Sequence, residues 1–116
     1  MILIAEDEQT NYMYLEEVLT REGATVLHAR NGIEAVEMAK DHDVNLILMD
    51  IKMPVSNGFE ATKKIRKFKP DLPIIAQTAY ALVGDEEKAI DAGCDDYLPK
   101  PIKKEVILEK IREFLR

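Results

Sequence analysis

The stretch Leu46-Ile47-Leu48-Met49-Asp50-Ile51-Lys52-Met53-Pro54 decides the fold. Four consecutive apolar residues run into an acid, with no alternation of polar and apolar positions. A strand that is apolar at every position is covered on both faces, as strands of a parallel sheet are. Outward from it similar runs recur: Ile2-Leu3-Ile4-Ala5, Thr25-Val26-Leu27, Pro73-Ile74-Ile75-Ala76 and a weaker Asp96-Tyr97-Leu98. Between the runs the apolar spacing is helical. Asn11, Tyr14, Leu15, Val18 and Leu19 fall on one side of the first such stretch, with Met13, Glu16 and Thr20 opposite. Gly23 follows this helix, Asn31 is suited to cap the next, and Pro70 closes the third. Residues 103–115 carry Ile107, Leu108, Ile111, Phe114 and Leu115 on one stripe. Strand and helix alternate five times with no Pro-, Gly- or Ser-rich linker. This predicts one doubly wound (βα)5 domain of the α/β class over residues 1–116.

Composition narrows the function. The 116 residues include 16 basic and 22 acidic ones, a net charge of −6 and a pI near 4.9. Phosphate binding by a nucleic-acid module needs the opposite balance, so direct nucleic-acid binding is not expected. Cys94 is the single cysteine, which excludes an internal disulfide and a thiolate zinc site. No apolar run approaches a membrane span, and Met1-Ile2 opens without a signal-peptide layout. A cytoplasmic domain without membrane insertion is expected.

Ligands of open parallel sheets bind beyond the carboxyl ends of the strands, where the winding reverses. The residues that end the strands are therefore the ones to compare. They are Glu6-Asp7 after the first, Asp50 after the third, Thr78 after the fourth and Lys100 after the fifth. In the strand order 2-1-3-4-5, Asp50 has the acid pair on one side and Thr78 on the other. Three carboxylates this close repel one another unless a cation sits among them. An oxygen-only donor set suits a hard ion, and Mg²⁺ in particular. Lys100 and Thr78 would complement a tetrahedral anion by charge and by hydrogen bond. Metal on one side, ammonium on the other and a carboxylate between them is what an aspartyl phosphate requires.

These residues, with Met53-Pro54, Asn57-Gly58-Phe59-Glu60-Ala61-Thr62, Thr78-Ala79, Ala92-Gly93-Cys94-Asp95-Asp96-Tyr97 and Lys100-Pro101, resemble the receiver domain of two-component response regulators along the whole chain. The resemblance implies the flavodoxin-like strand order 2-1-3-4-5. It also implies that Asp50 accepts a phosphoryl group from a histidine kinase or histidine phosphotransfer protein. Glu6, Asp7 and Asp50 with the backbone carbonyl of Lys52 would hold Mg²⁺, Glu6 directly or through water. Thr78, Ala79 and Lys100 would receive the phosphate, Lys100-Pro101 would be cis, and Thr78 with Tyr97 would form the switch. Lys52 and Tyr80 stand where phosphoaspartate hydrolysis is tuned. Met13, on the polar side of the first helix, would help dock the phosphodonor partner, and no downstream reader is named by the sequence. The segments around Gly58 and Thr78 look most like receivers of hybrid histidine kinases, with a free-standing or an excised domain both open.

Departures and competing readings belong beside this. Glu6 and Asn57 stand where the family often has aspartate, and Gln77 is a polar residue in an apolar strand with no evident partner. Asp85-Glu86-Glu87 reads as a solvated helix start. His28 and His42 read as structural or surface residues and Cys94 as a small packing residue. A phosphatase of the haloacid-dehalogenase type would place its nucleophile after the first strand with a second aspartate two residues on; here the candidate nucleophile, Asp50, ends the third strand, and two residues after it stands Lys52. A flavodoxin-like cofactor protein would want a phosphate loop after the first strand, and Glu6-Asp7-Glu8 repels phosphate. The expected role is a phosphoryl acceptor and switch rather than a turnover enzyme.

Overall fold

In a computed structural model, which describes residues 1–53, 55–79 and 82–115, five parallel strands and five helices alternate. The strands are β1 (Ile2–Ala5), β2 (Val26–Ala29), β3 (Leu46–Asp50), β4 (Ile74–Thr78) and β5 (Asp96–Pro99). The helices are α1 (Gln9–Arg21), α2 (Gly32–Asp41), α3 (Gly58–Phe68), α4 (Asp85–Ala92) and α5 (Lys104–Phe114). The sheet order is β2-β1-β3-β4-β5, the flavodoxin-like order, with Asp50 opposite Gln77 and Thr78 opposite Pro99. Pro54, Tyr80 and the expectations attached to them lie outside the described residues.

Period-two alternation along each central strand divides the core into two layers. Leu3, Ile47, Met49, Ile74 and Ala76 face α2, α3 and α4 through Ala35, Ala39, Ala61, Ile65 and Ala89. Ile2, Ile4, Leu46, Leu48 and Ile75 face α1 and α5 through Tyr12, Leu15, Leu19 and Ile107. The alanines let α2 and α3 seat closely on the sheet. Gly58 goes further: a Cβ there would lie 2.5 Å from the carbonyl oxygen of Asp50, so only glycine brings the start of α3 onto the end of β3.

Asn31 caps α2 by accepting from the Glu34 amide, and Asn57 caps α3 by accepting from Glu60. Two expectations shift. Tyr12 joins Leu15, Val18 and Leu19 in the buried face of α1, while Asn11 and Tyr14 are only half-buried. The reason is local, since Tyr12 stacks on His28 and thereby widens that face toward β2. On α5 only Ile107 is buried; the rest of its stripe is half-buried, apart from exposed Leu115.

The opposite end of the sheet is clipped by Arg66. Its Nε donates to Gly93 O at 2.8 Å, Nη1 to Lys69 O at 3.2 Å and to Leu72 O, and Nη2 to Asp95 Oδ2 at 2.9 Å. The same carboxylate oxygen accepts the Ile74 amide at 2.8 Å. Gly93 closes α4 at φ 114°, and a side chain there would collide with Arg66.

Candidate functional site

Beyond the carboxyl ends of β1, β3 and β5 lies a cleft of about 140 Å³ lined by Glu6, Asp7, Glu8, Asp50, Lys52, Ala79 and Lys100. Glu6 and Asp50 are almost completely buried, Asp7 and Ala79 are exposed, and Lys100 reaches in from the end of β5. The Lys100 ammonium bonds both buried carboxylates, Glu6 Oε1 at 2.7 Å and Asp50 Oδ2 at 2.8 Å. The other oxygen of Asp50 accepts the Lys52 amide at 3.0 Å, so this carboxylate is held at both oxygens. Glu6 is held further by the Asn11 side chain and the Glu8 amide. Lys100-Pro101 is cis, and the Lys100 amide donates to Thr78 O at 2.7 Å.

The electrostatics are those of too much negative charge in a closed space. Burial pushes the Glu6 carboxyl up to about 7, the neighbouring Asp50 charge adds to this, and the bonds from Lys100 and Asn11 oppose it. Burial alone would push the Lys100 ammonium down, but its bonds to Asp50 and Glu6 outweigh that and raise it. One oxygen from each of Glu6, Asp7 and Asp50 lies within 4.8 Å of the other two. An all-carboxylate set whose buried member is driven toward protonation has the chemistry that a hard divalent cation relieves. The residues therefore fit Mg²⁺.

Thr78 is fully buried at the end of β4, behind the exposed Ala79. Tyr97 is not part of the cleft. It pairs in register with Ala76, packs against the α2–α4 layer, and its buried hydroxyl has no partner among the described residues. Burial raises that phenol, and Asp85 and Glu86 add to the effect, which locates the ring beside the start of α4. Met13 stands outward on α1, 57% exposed.

Two sequence readings need correction. Asp85 is not solvated: it is 2% exposed, accepts the Leu82 amide at 3.1 Å and pairs with Lys52 Nζ at 3.3 Å. Burial disfavours its charge, but those two contacts outweigh burial and hold its carboxyl below the ordinary range. This link between the loop after β3 and the start of α4 crosses the sheet, and charge-run reading has no access to it. His28, read as a structural or surface residue, borders the site, since its Nε2 lies 2.8 Å from the Glu6 carbonyl oxygen. Cys94, by contrast, is the expected packing residue, buried with its sulfur 3.7 Å from Thr62 Oγ1. Gln77 is fully buried, and neither polar atom of its side chain has a partner among the described residues.

Residues 2–112 match the response regulator receiver domain family. The polar-differentiation response regulator DivK of Brucella anthropi is 36% identical over 116 residues, covering 98% of this chain and 94% of that protein. The receiver domain of the sensor histidine kinase PA1611 from Pseudomonas aeruginosa, solved with a magnesium ion coordinated in its active-site cleft, superposes with a TM-score of 0.91. It is 38% identical, with 98% of this chain and 95% of that chain covered. The receiver domain of Ssk1 from Saccharomyces cerevisiae, co-crystallised with the histidine phosphotransfer protein Ypd1, gives a TM-score of 0.90 at 35% identity, covering 97% and 86%. Fold, strand-end cleft and relatives agree, and the chain belongs to the response regulator receiver domains of two-component signalling.

Proposed function

We propose that the chain, as one cytoplasmic receiver domain, accepts a phosphoryl group on Asp50 in an Mg²⁺-dependent transfer and switches its surface in response. It acts as a phosphoryl acceptor rather than a turnover enzyme. The observation that carries this reading is the Lys100 ammonium between the two buried carboxylates, beside a third that completes a cation set. Glu6, Asp7, Asp50 and the Lys52 backbone carbonyl would hold the ion. Bound there, Mg²⁺ supplies charge neutralisation against the incoming phosphoryl oxygens.

The chain's own residues account for the rest. The Lys52 amide and Lys100 orient the Asp50 carboxylate, whose oxygen forms the new bond to phosphorus. The bond from phosphorus to the donor's histidine nitrogen breaks, and the electron pair leaves on that nitrogen. Lys100, Thr78 Oγ1 and the space above Ala79 receive the phosphoryl oxygens. The product carries about −1.5 to −2 charges near neutral pH, enough to redirect Lys100 and the Thr78 hydroxyl. Tyr97, whose hydroxyl beside α4 has no partner among the described residues, is the group that would read the displacement. Incubation with a small phosphodonor, followed by intact-mass spectrometry, tests the reading. One alkali-labile phosphoryl group is expected with Mg²⁺ and none with a chelator.

The cation should also be pH-sensitive, with a sign set by Glu6. Its carboxyl titrates near 7 in the folded protein against an ordinary 4.5, so between those values the metal-free native state binds the extra proton. That contribution to stability is complete below about 4.5 and is lost as pH rises through about 7. Cation binding must expel the proton, so Mg²⁺ affinity should rise about tenfold per pH unit below 7 and level off above it. Calorimetry in buffers of different ionisation enthalpy measures both the affinity and the released proton. Glu6→Gln should flatten the dependence.

The partner is a histidine kinase or histidine phosphotransfer protein. Met13 is 57%, Val55 78% and Leu82 62% exposed, on α1 and on the loops that follow β3 and β4, the elements that border the cleft. Apolar side chains around a charged cleft suit a protein donor that brings its histidine to Asp50. Met13→Asp should slow transfer from the cognate partner about tenfold and leave phosphorylation by a small donor intact. Equal transfer rates would remove Met13 from the docking surface.

A further inference from the structure

His28 lies on β2, the edge strand beside β1, in register with Ile4. Its Nε2 is 2.8 Å from the backbone carbonyl oxygen of Glu6. A carbonyl oxygen only accepts, so this ring nitrogen carries the proton and donates. The imidazole lies flat against Tyr12, with ring centroids 3.6 Å apart and planes 7° from parallel. Tyr12 is fixed in turn, its ring buried and its hydroxyl donating to Glu16 at 2.8 Å. The donor nitrogen of His28 therefore has little freedom left.

Glu6 is thus gripped from both sides by the end of β2. Its N–H donates to Ala29 O at 2.9 Å, and its C=O accepts from His28. The Ile4–His28 and Ala5–Ala29 pairs close the β1–β2 ladder, so the carbonyl after them has reached the point where regular strand pairing stops. A side chain continues what the ladder no longer supplies. The peptide so held joins Glu6 to Asp7, two of the three carboxylates in the cation set.

We propose that His28 is a positioning residue for this site: its imidazole fixes the Glu6–Asp7 peptide so that both carboxylates stand together before a cation binds. The inference rests on the Mg²⁺ reading given above. Groups that orient metal ligands from behind change affinity about 10- to 100-fold when removed.

The test is calorimetric titration of Mg²⁺ into the wild type, His28→Phe, His28→Gln and Val26→Ala. His28→Phe keeps a ring on Tyr12 and removes only the donor, and affinity should fall about tenfold. His28→Gln restores an N–H and should recover part of the loss. Val26→Ala trims β2 packing without touching Glu6, and it should lower thermal stability while leaving Mg²⁺ affinity at the wild-type value. Unchanged affinity in His28→Phe overturns the positioning role alone, as does an equal loss in Val26→Ala. No Mg²⁺ binding by the wild type overturns the metal reading and, with it, this role.

Discussion

Asp50→Asn should leave a folded protein that gains no phosphoryl group from any donor. The amide has nearly the shape of the carboxylate, and its one oxygen can still accept from either the Lys52 amide or Lys100, so the packing under the cleft survives. What goes is the nucleophile, because a neutral amide oxygen does not displace a leaving group at phosphorus as a carboxylate does. Labelling in the intact mass should fall below about 1% of the wild-type level under the same donor and Mg²⁺. The same substitution removes the charge that helps to push Glu6 up, so the Glu6 carboxyl should titrate below its wild-type position near 7. Carbon-detected NMR of the glutamate side chains reads that shift without any donor. A phosphoryl group retained by Asp50→Asn would move the acceptor to Asp7 or Glu6 and overturn the assignment.

The second large effect lies at the other end of the strands. Arg66→Ala should lower unfolding free energy by about 2–4 kcal/mol. Its guanidinium donates to the carbonyls of Lys69, Leu72 and Gly93, and it meets Asp95 as well. The ion pair itself counts for little, because the Asp95 side chain is 41% exposed. The carbonyls carry the larger part. Arg66→Lys should recover less than half of the loss, since one ammonium cannot reach so many acceptors in a plane. Urea titration measures both, and phosphorylation by a small donor at low temperature should be nearly normal in each. A loss under 1 kcal/mol for Arg66→Ala would show that water replaces the clip.

The sheet and the site were legible for one reason. A doubly covered strand leaves a run such as Leu46 to Met49, and the residue that breaks the run marks where the strand leaves the core. Asp50, Thr78 and Lys100 stand at such breaks, and the family resemblance supplied the order that puts them side by side. The contacts that tune the site were not legible, because they join residues far apart in the chain through single side chains. Asp85 reads as one more acid at a helix start until Lys52 is found beside it. His28 reads as one more strand residue until the Glu6 carbonyl is found within reach. Arg66 sits in the basic run Lys63-Lys64-Arg66-Lys67 with nothing to separate it from solvated neighbours. Tyr12 falls beside the regular helical stripe, and only the neighbouring imidazole draws it in.

The Arg66 clip divides the molecule by stiffness as well as by position. It ties the turn after α3 to the turn after α4 and to the first residues of β4 and β5, so those strands are anchored where they begin. Further along, the buried polar atoms of Gln77 and Tyr97 have no partners among the described residues, and α4 is capped by Gly84, which offers no side chain. Local opening is cheapest where such bonds are missing. Amide hydrogens at the start of β4 should therefore exchange more slowly than those at its far end and in the first turn of α4. Under the proposed phosphorylation, a protein built this way would behave like a reed clamped at its base: a charge placed on the free end would move the tip, and the root would hold the tune.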